Sequence, residues 1–196
     1  YNVYMKALIL AIALMILSTT SAAAKDETAI FAGGCFWCMQ PVFDSAEGVK
    51  STRVGYTGGS KMKPTYEEIS GGKTGHYEAI EVIYDPAKAN YEEMVRIYFA
   101  NIDPFDASGQ FADKGEQYKT VIFYGSEEQQ KTAEKVKAEM AAKFPGKTIA
   151  VRILPMAEFF EAEDYHQDYY KKNPLRYNAY KYGSGRATGI KEIWGK

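Results

Sequence analysis

Two cysteines stand three residues apart behind a pair of glycines in Gly33-Gly34-Cys35-Phe36-Trp37-Cys38, and the chain has no others. The glycines end a short apolar stretch and a helical pattern follows, so Cys35 falls where backbone N–H groups lack partners. Those groups and the helix dipole favour a thiolate, which predicts a lowered thiol pKa. Cys38 then shares a helical face with Cys35 and can reach it. Such a pair suits a redox cycle in which one sulfur reacts and the other resolves the product as a disulfide. Two other readings stay open at this point. The cysteines can be buried as small hydrophobes, although the adjacent glycines argue for an exposed site. They can also bind zinc with His76 and His166, although those spacings match no finger or knuckle.

A second candidate is Gly71-Gly72-Lys73-Thr74-Gly75-His76-Tyr77-Glu78. A phosphate loop would need glycine at position 67, which is Glu67, so that motif is absent. What remains is a flexible approach to a strand with a carboxyl group at its mouth. Apolar surroundings would raise the pKa of Glu78 and make it a general acid, whereas exposure would leave it merely solvated. A third candidate is Glu163-Asp164-Tyr165-His166-Gln167-Asp168-Tyr169-Tyr170, where hydroxyls, an imidazole and carboxylates at helical spacing can build a polar pocket wall. The plainer reading is an amphipathic helix with Tyr165 and Tyr169 on its packed face.

These groups need a scaffold. Thr28 to Ala32 reads as an apolar strand, and Cys35 to Phe43 as a helix that Pro41 either kinks or starts. Ser51 to Tyr56 forms a strand. Tyr77 to Asp85 alternates and stops at Pro86, as a half-buried strand does. Asn90-x-x-Glu93 is a capping-box pattern ahead of Tyr91, Met94, Val95, Tyr98 and Phe99 on one helical face. Tyr118 to Tyr124 is rich in β-formers. Ser126-x-x-Gln129 opens the longest helix, ending at Phe144 before Pro145-Gly146. Thr148 to Leu154 reads as the last clear strand, and Glu163 to Lys172 as the last helix, stopped by Pro174. A glycine-rich C-terminal tail from Gly183 is expected to wrap the surface. Strands and helices interleave without repeats or linkers, so the expectation is one α+β domain with a mixed β-sheet.

The amino-terminal residues stand apart. Lys6, the unbroken apolar run Ala7 to Leu17 and the small residues ending at Ala24 make the pattern of a signal peptide over 1–24, ahead of a domain over 25–196. At about 1.5 Å per residue the apolar run falls well short of a hydrocarbon core of about 30 Å. A cleaved leader predicts a periplasmic or secreted protein without a stable membrane span, and an uncleaved anchor is the alternative. With 24 basic and 25 acidic residues the chain is no basic nucleic-acid binder, and its near-neutral surface points to a monomer. Its hydrophobic content of 46% excludes a disordered chain. Sixteen tyrosines are many for this length, and they crowd towards the C-terminus.

In order along the chain stand Gly34-Cys35-Phe36-Trp37, Gly55-Tyr56-Thr57-Gly58-Gly59, Pro64-Thr65-Tyr66, Thr74-Gly75-His76-Tyr77-Glu78 and Tyr165-His166-Gln167-Asp168-Tyr169. Together they closely resemble peptide methionine sulfoxide reductase A, over roughly Thr28 to Tyr177. The resemblance implies a two-layer α+β fold, reduction of the S epimer of methionine sulfoxide, free or in proteins, and neither metal nor organic cofactor. It implies Cys35 as the nucleophile, Glu78 as the acid, and Tyr66 and Tyr169 as donors to the sulfoxide oxygen. Phe36 and Trp37 would form the methyl pocket, with Asp164 and His166 at its edge. The sequence departs from the family twice. Many relatives carry resolving cysteines in a C-terminal tail, whereas this chain has none after Cys38, at a position often glycine. Cys38 is therefore expected to close a disulfide with Cys35 for a thioredoxin-like reductant; a structural Cys38, with a small thiol regenerating Cys35, is the competing idea. Ala112 also stands where asparagine is usual. Outside this family, the chain can be read as a secreted thiol–disulfide oxidoreductase using the same two cysteines, or as a tyrosine-rich binding module.

Overall fold

The structure, a computed structural model, describes residues 25–195, so the expected leader over 1–24 lies outside the described residues. Strand β1 (Glu27–Gly33) runs antiparallel to both β3 (Tyr77–Tyr84) and β6 (Thr120–Tyr124). On one flank, β3 pairs with β2 (Val49–Thr57), which pairs with the short β8 (Phe160–Glu161). On the other, β6 pairs in parallel with β7 (Arg152–Pro155). The six-stranded order β7-β6-β1-β3-β2-β8 is the mixed sheet that the interleaved pattern predicts.

The alternation on β3 sorts its side chains. Ile80, Val82 and Tyr84 join Ala29 and Phe31 in the main core beneath helices α1 (Phe36–Asp44), α3 (Tyr91–Phe99) and α4 (Glu127–Lys143). Phe31 stacks between Phe43 of α1 and Tyr98 of α3, at centroid distances of 5.2 and 5.0 Å. Each such aromatic, fully buried, contributes about 1.5–3 kcal/mol. The opposite face, with Ile30, Ala32, Tyr77, Ala79, Val121 and Phe123, is covered by the segment carrying Leu154, Met156 and Phe159. Glu78 belongs by parity to the helix-covered face, at the end of an otherwise apolar stripe, and is 2% exposed.

The Asn90 capping box is present as read, whereas Ser126 caps its helix on one side only, the Gln129 side chain accepting from the Gly125 amide. Asn90 Oδ1 accepts from the Glu93 amide and Glu93 answers to the Asn90 amide, while Ser126 Oγ accepts from the Gln129 amide. Pro41 neither starts nor ends α1: the helix runs through it from Phe36, with Cys35 as its cap residue.

Three expectations need correction. Glu163 to Lys172 is not one helix. Gln167 turns inward, accepting from the Val54 amide and donating to the Val54 and Ala162 carbonyls, so the segment is a turn fastened to β2. Asp168 takes a left-handed conformation, and only Tyr169–Lys172 (α5) is helical. Pro174 does not stop the chain's helices but begins α6 (Pro174–Gly183) at its first turn, where a missing N–H costs nothing. The β-run before Pro155 regularises only from Arg152, and β8 follows it. Beyond Gly183 the chain forms a helix, α7 (Arg186–Trp194), whose Trp194 indole donates to the Ile102 carbonyl. Among the described residues no helix is long and apolar enough to cross a membrane.

Candidate active site

Gly34 turns the chain from β1 into α1 with φ +81°, and a Cβ there would stand 2.6 Å from Gln110 Cβ. That turn sets Cys35 at the helix cap, and Phe36 packs with Val54, Tyr56 and Ile69 in a second cluster against which Trp37 and Tyr66 lie. The Phe36 amide donates to Glu78 Oε2 at 3.1 Å, so the start of α1 is bound to the start of β3. A cavity of about 150 Å³ opens over this junction, lined by Cys35, Phe36, Trp37, Tyr66, Glu78, Asp113, Tyr118 and Tyr180. At about 30 Å³ per water, it holds a group of about five heavy atoms.

Each wall is fastened from behind. The Trp37 indole N–H donates to His166 Nδ1 at 2.9 Å, and its ring stacks on Tyr169 at 3.8 Å and 8°. Tyr66 begins α2 (Tyr66–Ser70); its amide donates to Glu163 Oε1, while Tyr56 Oη donates to the other oxygen of that carboxylate. Tyr118 comes from the turn Glu116–Tyr118, which follows the small hairpin of β4 (Gly109–Gln110) and β5 (Asp113–Lys114). Tyr180, from α6, hydrogen-bonds Asp113 and reaches Cys35.

The electrostatics follow from burial. Burial raises the Glu78 carboxyl to a pKa of about 8, the Phe36 amide only partly opposing it, so Glu78 is protonated at neutral pH. The expectation of a low-pKa Cys35 is reversed. Burial, with the hydrogen bond to Cys38, raises this thiol well above its ordinary range, and Glu78 adds to the rise once it ionises. The first helical amide, expected to face the sulfur, is taken by Glu78 instead. Cys38 moves the opposite way: the Cys35 hydrogen bond lowers it, with help from Arg186 and Lys181, against its burial. Burial also lowers His166 to about 4, so its ring is neutral, and Nδ1 accepts from Trp37.

Of the residues singled out from sequence, Cys35, Phe36, Trp37, Tyr66 and Glu78 share the cavity. Tyr169 and His166 stand behind Trp37 rather than in the lining, because the turn held by Gln167 points them at the indole. Asp164 is exposed, its carbonyl accepting from Lys172. Cys38 lies on the inner face of α1 and opens instead into a larger cavity, of about 560 Å³, between α1, α6 and α7. His76 pins the Gly58-Gly59 loop, its Nδ1 accepting from the Gly59 amide and its Nε2 meeting the Lys61 carbonyl. Among the described residues no three His, Cys, Asp or Glu side chains converge as metal ligands. Sequence reasoning missed Asp113, Tyr118 and Tyr180. Tyr118 was legible only as the first residue of a β-rich run, and Tyr180 as one of many C-terminal tyrosines.

A buried thiol facing a protonated carboxyl group and tyrosine hydroxyls, on an α+β scaffold, defines a thiol oxidoreductase site. A family profile described as Peptide methionine sulfoxide reductase matches residues 27–196, and the chain belongs to that family. It is 46% identical over 175 residues to peptide methionine sulfoxide reductase MsrA of Bacillus licheniformis, covering 89% of this chain and 97% of that one. The protein of the same name in Listeria innocua is 48% identical over 169 residues, covering 86% and 96%. Among solved structures, methionine sulfoxide reductase A of Corynebacterium diphtheriae superposes with a TM-score of 0.70 at 34% identity, covering 82% of this chain and 81% of that one. Reduced Mxr1 of Saccharomyces cerevisiae gives 0.72 at 33% identity, covering 78% and 88%.

Proposed function

We propose that Cys35 attacks the sulfur of a methionine sulfoxide seated in the 150 Å³ cavity while Glu78 protonates the sulfoxide oxygen. The activity is thiol-dependent reduction of methionine (S)-S-oxide. The observation that carries the assignment of roles is the neutral Glu78, a carboxylic acid kept protonated by burial and lining the same cavity as the thiol. Phe36 and Trp37 receive the methyl group, and the hydroxyls of Tyr66 and Tyr118 stabilise the oxygen as the S–O bond weakens. A methyl pocket on one side and donors on the other read a chiral sulfoxide as one epimer.

The balance closes on the two residues. The Glu78 proton goes to the oxygen, the Cys35 sulfur takes the hydroxyl as a sulfenic acid, and the sulfide departs with its lone pair restored. The proton that Cys35 loses replaces the one given by Glu78. Cys38 then displaces the hydroxyl from Cys35 as water, forming a disulfide that a dithiol of thioredoxin type reduces. A general thiol–disulfide oxidoreductase would need neither a protonated Glu78 nor the tyrosine wall, and the family match does not favour it.

The tyrosines test the geometry. Tyr118→Phe is expected to lower the single-turnover rate of sulfide formation about a hundredfold, as loss of one charge-stabilising donor does. Tyr169→Phe keeps the stack on Trp37 and is expected to stay close to wild type. The reverse ranking would return the donor role to Tyr169. For the cellular address, the leader pattern supports a periplasmic or secreted protein. The check is the N-terminal sequence of the exported protein, expected to begin at Lys25.

A further inference from the structure

Arg186, at the start of α7, is 5% exposed. Its Nη2 donates to the Gly33 and Asn101 carbonyls at 3.0 and 2.8 Å and meets Met39 Sδ at 2.9 Å. Every one of these acceptors is neutral, and Nη1 has no partner among the described residues. A buried cation with only neutral partners is costly, because desolvation is repaid only by an opposite charge nearby. Asp113 attracts the guanidinium, but among the described residues no hydrogen bond or ion pair joins the two, its carboxylate taking the Tyr180 hydroxyl instead. The remaining candidate is a thiol: Cys38 is 4% exposed and lines the 560 Å³ cavity together with Arg186. Two of the three acceptors of Nη2 flank that thiol along the chain, Gly33 preceding the α1 turn and Met39 following Cys38 on the helix.

We propose that Arg186 is a positioning residue for the second half-reaction, its guanidinium being the counter-ion of the Cys38 thiolate that attacks the Cys35 sulfenic acid. The proposal rests on Cys38 being the resolving thiol. In that step the Cys38–Cys35 S–S bond forms and the S–O bond of the sulfenic acid breaks. The departing hydroxyl takes the proton of Glu78 and leaves as water. The charged and titratable groups facing Cys38 are Cys35, Glu78, Asp113, Tyr177, Lys181 and Arg186. Glu78 is neutral when protonated, and Asp113 opposes the thiolate, so the favourable charges come from Arg186 on α7 and Lys181 on α6. The contact with Cys35 works in the same direction, raising the Cys35 thiol and lowering that of Cys38.

The Cys35→Ala protein carries Cys38 as its sole thiol and removes the Cys35 hydrogen bond, so its thiolate absorbance titrates what the cations alone do. Half-ionisation is expected at least about one unit below the free-cysteine value of about 8.5. Adding Arg186→Met should return it to that value or above, and Arg186→Lys should keep most of the shift. In the two-cysteine protein, Arg186→Met should slow disulfide closure about tenfold at mildly acidic pH, with the deficit closing as pH rises. Titration of Cys38 at or above the free value with Arg186 in place would overturn the pairing. So would an unchanged titration in Arg186→Met. Wild-type enzyme that ends one turnover with Cys35 as sulfenic acid and Cys38 free overturns the proposal through its premise instead, whatever the titration gives.

Discussion

Glu78→Gln is expected to cut the single-turnover rate of sulfoxide reduction by about a hundredfold to ten-thousandfold, the range for loss of a positioned acid. Glutamine still offers an oxygen to the Phe36 amide, so the junction of α1 and β3 is retained and the missing proton is what is measured. Wild-type activity should be flat below pH 8 and fall as Glu78 ionises through its pKa of about 8. Ionisation removes the donor and also sets a negative charge beside Cys35, which raises the thiol further, so both halves of the chemistry fail together. The variant should lack that alkaline limb. Stability should fall over a lower pH range. The folded protein holds a proton on Glu78 that the unfolded chain releases near pH 4.5, so the fold loses stability as pH rises from there to about 8 and then levels off. At about 1.4 kcal/mol per unit, the loss is a few kcal/mol. Glu78→Gln should therefore melt higher than wild type at pH 8. A variant that keeps its rate within about threefold, or melts lower at that pH, would take Glu78 out of the acid role.

Cys38→Ser is expected to separate the two half-reactions. One equivalent of sulfide should form at a near wild-type rate, since the cavity over Cys35 does not include residue 38. Cys35 should then persist as a sulfenic acid that a carbon nucleophile such as dimedone captures. Turnover supported by a thioredoxin system should fall about a hundredfold, because an intramolecular thiol is replaced by one that must diffuse in. Dimedone capture is read by mass spectrometry of the intact chain. Undiminished thioredoxin-supported turnover, with no capture, would make Cys38 a packing residue and send the reductant directly to Cys35.

Much of this arrangement is local and therefore legible in the chain. The apolar strand, the two glycines and the helix onset fix where Cys35 must be. The alternation of β3 carries Glu78 onto the core side of the sheet. What the sequence alone leaves open depends on burial and on contacts between distant segments. The polarity of the Cys35 environment cannot be read from its helix position, since the amide that would favour a thiolate is bound by a residue 42 positions away. The third motif reads as a helix because its spacing is helical. Gln167 diverts it through hydrogen bonds to β2 backbone, and Tyr169 consequently supports Trp37 from behind. Tyr118 and Tyr180 reach the cavity through a single turn and through α6, a helix that begins at Pro174. Read as a helix stop, that proline hides the element that delivers Tyr180.

The most direct test offers the chain from Lys25 onward the two epimers of N-acetyl-methionine sulfoxide separately, with dithiothreitol as reductant and Cys35→Ser as control. Sulfide formation is followed by chromatography. The account predicts turnover of the S epimer alone, abolished in Cys35→Ser. Equal use of both epimers, or turnover that survives the loss of Cys35, would contradict it.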